Sequence, residues 1–188
     1  MSKLVDSLIE KLISLSPNEK ELIGTTIVEL LSGDATKQAI NLSPRRGNAD
    51  GGIDGRIKVI SVSIQKLIIP NGITYERGEK KQQDAAVNIK IQKDKFSPEQ
   101  FGYFKDSLER ENIFVGIIIT AKGLAPDVER RIIDINNERI YSFYHLPIKN
   151  IILWNFEDSV IEFECGDISN IIREKLVKYI SNSSRIEQ

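Results

Sequence analysis

Apolar residues change their spacing several times along the chain, and each change marks an element. Residues 3–15 carry Leu4, Val5, Leu8, Ile9, Leu12 and Ile13 at helical spacing. After a break at 14–17, Ser16, Pro17 and Glu19 read as a helix start. The serine caps, the proline takes the first helical position, and the glutamate three residues on completes a capping box. Leu22, Ile23, Ile27, Leu30 and Leu31 line this second helix, and Gly33 ends it. A short strand is expected at 37–42, leading into a glycine-rich loop. Residues 56–69 are β-rich, with Ile57, Val59, Ile60, Val62, Ile64, Leu67, Ile68 and Ile69. Pro70, Asn71 and Gly72 signal a turn. Residues 73–81 are polar and charged, which predicts a loop or the outer end of a hairpin. Residues 85–91 return as a strand.

Ser97, Pro98 and Gln100 repeat the capping signature, and Phe101, Phe104 and Leu108 follow along one helical face. Residues 113–120 form an unbroken apolar run, which fits a strand buried on both faces. Residues 124–138 read as a helix, with Pro126 near its start and Val128, Ile132 and Ile133 facing inward. Residues 148–156 read as another buried strand that includes Trp154, and 168–180 as a closing helix before a frayed tail. Helices come first, then a β-meander, then helix and strand in alternation. This order predicts an α/β chain whose mixed sheet is antiparallel early and parallel later, flanked by helices.

The 188 residues suit one domain. Its expected parts are N-terminal helices at 1–33, a core at 34–156, and a C-terminal helix and tail at 157–188. Hydrophobic residues make up 40% and charged residues 28%, the balance of a globular protein that buries a core without staples. The single cysteine, Cys165, excludes an intramolecular disulfide and a cysteine-based zinc site. It reads as a small apolar strand residue. With no secretory signal and no apolar run near the roughly 18 residues a spanning helix needs, the expected location is the cytoplasm, away from membranes.

Net charge is −1, which is not the bulk basicity of a protein that coats nucleic acid. The charge is unevenly spread. Arg77, Lys80, Lys81, Lys90, Lys93 and Lys95 face only Glu79, Asp84 and Asp94 within the 77–95 stretch. Glu157, Asp158, Glu162, Glu164 and Asp167 follow one another at 156–167 with no base between them.

The candidate chemistry lies at the basic end. The loop at 45–56 has three glycines before Ile53 and Asp54, and a fourth after them. Glycine lets backbone come close to a ligand, and a carboxylate at the entry to a strand is well placed to hold a metal. On the strand at 87–91, alternation puts Asn88 and Lys90 on one face and Val87, Ile89 and Ile91 on the other. Hydrolysis of a phosphodiester needs an activated water and relief of developing charge, and a hard divalent cation held by oxygens supplies both. Asp54 is the expected ligand. Asn88, through its amide oxygen, and Ile89, through its backbone carbonyl, are further candidates. Lys90 would orient or deprotonate the water, or stabilise developing negative charge.

The segment RGNADGGIDGRI at 46–57 resembles the G-A-D-x-G-I-D-G-R-I signature of Mrr-like restriction endonuclease domains, part of the PD-(D/E)xK nuclease superfamily. The lysine-ending strand at 87–90, the helix end LERE at 108–111 and the strand VGIIIT at 115–120 are also similar to that family. The likeness spans about residues 20–155. It implies a restriction-endonuclease-like core, with Asp54 as the metal-binding aspartate and Lys90 as the catalytic lysine. The family usually carries Glu or Gln where this chain has Asn88. A further carboxylate from Glu21, Glu29 or Asp50 would make up for that change.

The expected function is therefore Mg²⁺-dependent cleavage of DNA, with Mn²⁺ as a substitute, in restriction or phage defence. Arg45, Arg46, Lys93 and Lys95, with the segment at 75–81, would contact phosphates, which bind without reading sequence. No helix-turn-helix or zinc finger is present, so recognition falls to loops or to a partner subunit. Cutting both strands favours a homodimer. Two other readings stay open: a nuclease fold kept as a DNA-binding or assembly subunit, and a repair nuclease acting on branched or modified DNA. His145, the only histidine, reads as a loop or edge-packing residue, and Tyr141, Phe143 and Tyr144 beside it as sheet-edge aromatics. No G-K-S or G-K-T follows a glycine loop, so no nucleotide cofactor is expected.

Overall fold

A computed structural model of the chain describes residues 2–32, 52–68, 74–153 and 161–163. Two helices, α1 (Ser2–Ser14) and α2 (Pro17–Ser32), come first. The capping box at the start of α2 forms as its sequence predicts. Ser16 N–H donates to Glu19 Oε2 at 2.8 Å and Glu19 N–H to Ser16 Oγ at 3.4 Å. The Ser16 hydroxyl, which donates to Glu19 Oε2 at 2.7 Å, and then the Ser16 N–H favour the carboxylate and hold Glu19 below its usual range.

A long antiparallel hairpin follows, built from β1 (Gly55–Ile68) and β2 (Thr74–Lys90). Then come α3 (Pro98–Glu111), β3 (Val115–Thr120), α4 (Pro126–Glu138) and β4 (Ser142–Pro147). The last described elements are the short helix α5 (Ile148–Leu153) and the three-residue β5 (Ile161–Phe163). The sheet order is β4-β3-β2-β1-β5. β2, β3 and β4 run parallel, while β1 is antiparallel to both β2 and β5. This is the mixed sheet, antiparallel early and parallel later, that the element order predicts.

Each face of the sheet buries its own apolar cluster. One packs Ile57, Val59, Val87, Ile89, Ile117 and Ile119 against Val5, Ile9 and Leu12 of α1, Ile23, Ile27 and Val28 of α2, and Ile148 and Ile151 of α5. The other packs Ala86, Ile118 and Phe143 against Phe101, Phe104 and Leu108 of α3 and Val128 and Ile132 of α4. Phe143 meets Phe101 edge-on, ring centroids 5.0 Å apart at 66°, an arrangement aromatic quadrupoles favour. Asn136 of α4 accepts from Phe143 N–H at 2.7 Å and donates to its carbonyl at 2.9 Å. A side-chain amide thus takes up backbone groups of β4, the strand that closes one side of the sheet.

Residues 74–81 are the outer part of the β1–β2 hairpin, one of the two forms their polar sequence allowed. Three sequence expectations need correction. The strand expected at 148–156 is instead α5 over its first six residues, and the strand is Ser142–Pro147. Ile148 and Ile151 are both fully buried at a spacing of three, so this apolar run meets the core by one helical face. Ile133 points to solvent, because α4 turns Val128, Ile132 and, in part, Ile135 inward. Leu22 likewise stands on the outer side of α2. The expected strand at 37–42, the closing helix at 168–180, Trp154 and Cys165 lie outside the described residues.

Gly55 fixes how closely α2 approaches the sheet. A Cβ there would stand 2.6 and 2.7 Å from the two methyls of Val28. Gly55→Ala is expected to destabilise the fold by about 1–3 kcal/mol, the usual cost of overpacking. Adding Val28→Ala should recover part of the loss, which denaturant melts of the two single variants and the double would reveal as non-additivity.

Candidate active site at the carboxyl end of β2

The site begins where β1 enters the sheet beside the end of β2. Gly55 faces Val87 in the ladder, yet Asp54 N–H also donates to the Val87 carbonyl at 2.8 Å. This off-register bond holds Asp54 against β2 just before the regular ladder begins. Here Asp54 is turned onto the end of β2, and Ile89 N–H donates to its Oδ2 at 2.6 Å. In an extended strand a residue's N–H and C=O point to the same side. The Ile89 carbonyl therefore also faces the Asp54 side.

Asn88 is buried, with 1% of its surface exposed. Its Nδ2 donates to the Gly52 carbonyl. Gly52 has φ +82°, a conformation suited to glycine, and a Cβ there would stand 2.7 Å from that nitrogen. The loop glycine is thus required by the amide lying over it. Asn88 Oδ1 is buried and has no hydrogen-bond partner among the described residues. An unmet buried acceptor typically costs about 1–3 kcal/mol, so this oxygen is a position where a cation or a water would be favoured.

Lys90 ends β2, half-buried, and its ammonium forms no hydrogen bond or ion pair among the described residues. The predicted alternation holds. Val87, Ile89 and Ile91 join the cluster under α1 and α2, whereas Asn88 and Lys90 lie on the α3 and α4 face. The next loop carries Lys93 and Lys95, both exposed at the same end of the sheet. Gln92 and Gln100 bind each other reciprocally at 3.1 and 3.3 Å, and Gln92 also donates to the Asp94 and Lys95 carbonyls, which stitches this loop to the start of α3.

Other predicted residues stand apart. Glu21 is exposed on α2 and makes no bond with Asp54, Asn88 or Lys90 among the described residues. Arg45, Arg46, Asp50 and the Glu29 side chain lie outside the described residues. The basic segment at 75–81 occupies the far end of the hairpin. Arg77 is roughly 36 Å along β2 from Asn88 at about 3.3 Å per residue. Along β2 it therefore stands far from the end of the sheet that carries Lys93 and Lys95.

Among the described residues no group of three or more His, Cys, Asp or Glu is arranged to hold a metal. The donors present are the Asp54 carboxylate, the Asn88 amide oxygen and the Ile89 carbonyl. Magnesium keeps several waters and commonly takes only one or two protein carboxylates, so this oxygen set, with its unmet buried acceptor, fits such a cation.

Two residues not foreseen as partners complete the polar end of the sheet. Thr120, 2% exposed, ends β3 as the register neighbour of Lys90. His145 lies on β4, not in a loop, and its Nε2 is 2.8 Å from Thr120 Oγ1. A polar residue closing an otherwise apolar strand was the one sequence signal for Thr120. Burial lowers the His145 pKa from its ordinary 6.5, opposed in part by the charge of Glu129 on α4. The unfolded chain therefore binds a proton more readily than the folded one, and stability should fall as pH drops below about 6.5. The difference between thermal melts of wild type and His145→Gln at pH 7.5 and 5.5 isolates this contribution, and the variant should lose less on acidification.

No family model, curated protein or solved structure matches this chain. Among the described residues no helix is long and apolar enough to cross a membrane.

Proposed function

We propose that this protein is a metal-dependent nuclease that hydrolyses DNA phosphodiester bonds, built on a restriction-endonuclease-like core. The observation that carries this reading is the turning of Asp54 onto the amide of Ile89, which lies on β2 between Asn88, whose buried oxygen has no hydrogen-bond partner among the described residues, and Lys90, whose ammonium has none among them either. Asp54 and Asn88, with the Ile89 carbonyl, would hold a Mg²⁺ or Mn²⁺ ion. When bound, that ion supplies an activated water and neutralises charge on the phosphate.

The chain's own residues have separate tasks. Asp54 contributes the negative charge that draws the cation, and the Ile89 amide fixes the orientation of its carboxylate. Lys90 meets the scissile phosphate as its charge builds, or orients the attacking water. Lys93 and Lys95 bind neighbouring phosphates, a contact that adds affinity and strong salt dependence without sequence preference. The resemblance of residues 46–57 to Mrr-like domains supports a role in restriction or phage defence.

A second reading has its own observation. Asn88 is neutral, and its amide nitrogen is already engaged with Gly52. That bond would serve equally well in a nuclease fold retained for DNA binding or assembly. Incubating the protein with plasmid DNA in Mg²⁺ and in Mn²⁺, with EDTA as control, tests both. Metal-dependent nicking or linearisation supports the nuclease. DNA retained in a gel shift, with no cutting of plasmid, methylated, mismatched or junction substrates, supports the binding subunit. Cutting confined to the mismatched or junction substrates would move the function to repair.

A further inference from the structure

The turn at 121–123 after β3 holds both ends of the loop that carries Lys93 and Lys95. Ala121 N–H donates to the Lys90 carbonyl at 3.1 Å, and Phe96 N–H donates to the Gly123 carbonyl at 3.0 Å. Ala125 N–H closes the arrangement on the Phe96 carbonyl at 3.0 Å. The shape of this turn is set from inside. Gly123, at φ +82°, donates its N–H to Thr120 Oγ1 at 3.0 Å, and the same hydroxyl meets His145 Nε2. With Gly123 as its donor, the hydroxyl is free to give its proton to a neutral His145 ring, the form that burial favours.

We propose that Thr120 and His145 are positioning residues. Through the 121–123 turn they set where Lys90 and the loop at 91–96 stand relative to Asp54. Their effect on catalysis rests on the nuclease reading, whereas their effect on the loop does not. Thr120 is too buried to act as a nucleophile, and His145 Nε2 is already engaged with it, which leaves neither of these two atoms for the substrate.

Thr120→Val keeps the side-chain shape and removes the hydroxyl, while Thr120→Ser keeps the hydroxyl. A small displacement of a catalytic group costs between about tenfold and a hundredfold in rate. In Thr120→Val the kcat for plasmid cleavage should fall by that factor with KM nearly unchanged, and Thr120→Ser should restore it. Amide hydrogen exchange at Ala121, Gly123 and Phe96 should quicken in the valine variant and not in the serine variant. The NMR signal of reductively ¹³C-methylated Lys90 should shift in the same pattern. The exchange and lysine readouts need no substrate, so they decide the proposal even if wild type cuts nothing, a result that would sink only the nuclease reading. Unchanged exchange and an unchanged Lys90 signal in folded Thr120→Val would overturn it, whatever the activity. Should Thr120→Val fail to fold, His145→Phe provides the same readouts with the hydroxyl left in place.

Discussion

Asp54→Asn is expected to reduce metal-dependent DNA cleavage by about a thousandfold or more. The substitution keeps the shape and leaves an oxygen able to accept from Ile89 N–H, so the entry to β1 should stay folded. What it removes is the one carboxylate among the described residues that the proposed site would use to attract a cation. Charge stabilisation by such an ion is worth several kcal/mol. A loss of about 4 kcal/mol corresponds to roughly three factors of ten in rate. The check is single-turnover cleavage in saturating Mg²⁺ beside a thermal melt. Lost activity with an unchanged melt is the expected pair of results. Cutting that survives at wild-type rate would mean the metal sits elsewhere.

Lys90→Met is expected to lower cleavage by about 10²–10⁴-fold, the span typical of a positioned proton-transfer group. Methionine keeps most of the apolar stem and loses only the ammonium. Lys90 makes no ion pair among the described residues, so the change leaves no buried partner stranded. The two variants should separate by metal binding. Lys90→Met should still bind Mn²⁺ at wild-type affinity in calorimetry, and Asp54→Asn should not. If both lose Mn²⁺ equally, Lys90 acts on the metal site and not on the substrate.

Much of this site is legible in the sequence because its signals are local. The alternation at 87–91 is clear because one face of β2 is buried under α1 and α2, which demands apolar residues at every second position. The capping residues Ser16 and Ser97 are readable because a cap joins residues three apart. Gly52 stands out as a glycine, although the reason, an amide from 36 residues away lying over it, does not.

What escaped depends on contacts distant in sequence. The bond from Asp54 N–H to the Val87 carbonyl joins residues 33 apart in sequence, so no local pattern announces it. Ile148 and Ile151 belong to a β-branched run that suits strand or helix alike, and only the packing against α1 decides for the helix. Thr120 and His145 lie 25 residues apart and meet diagonally across two parallel strands. A lone histidine among aromatics gives no hint of such a partner. The far placement of residues 75–81 follows from the unbroken length of β2, which their polar composition left undecided between a loop and a hairpin end.

The central claim is that Asp54 and Asn88 hold a divalent cation within reach of Lys90. Anomalous scattering from a crystal soaked in Mn²⁺ tests it most directly. The predicted result is a peak about 2.1 Å from an Asp54 carboxylate oxygen, on the side of Asn88 Oδ1, that disappears in Asp54→Asn. The absence of any peak there in the wild-type crystal, or a peak that persists in the variant, would contradict it.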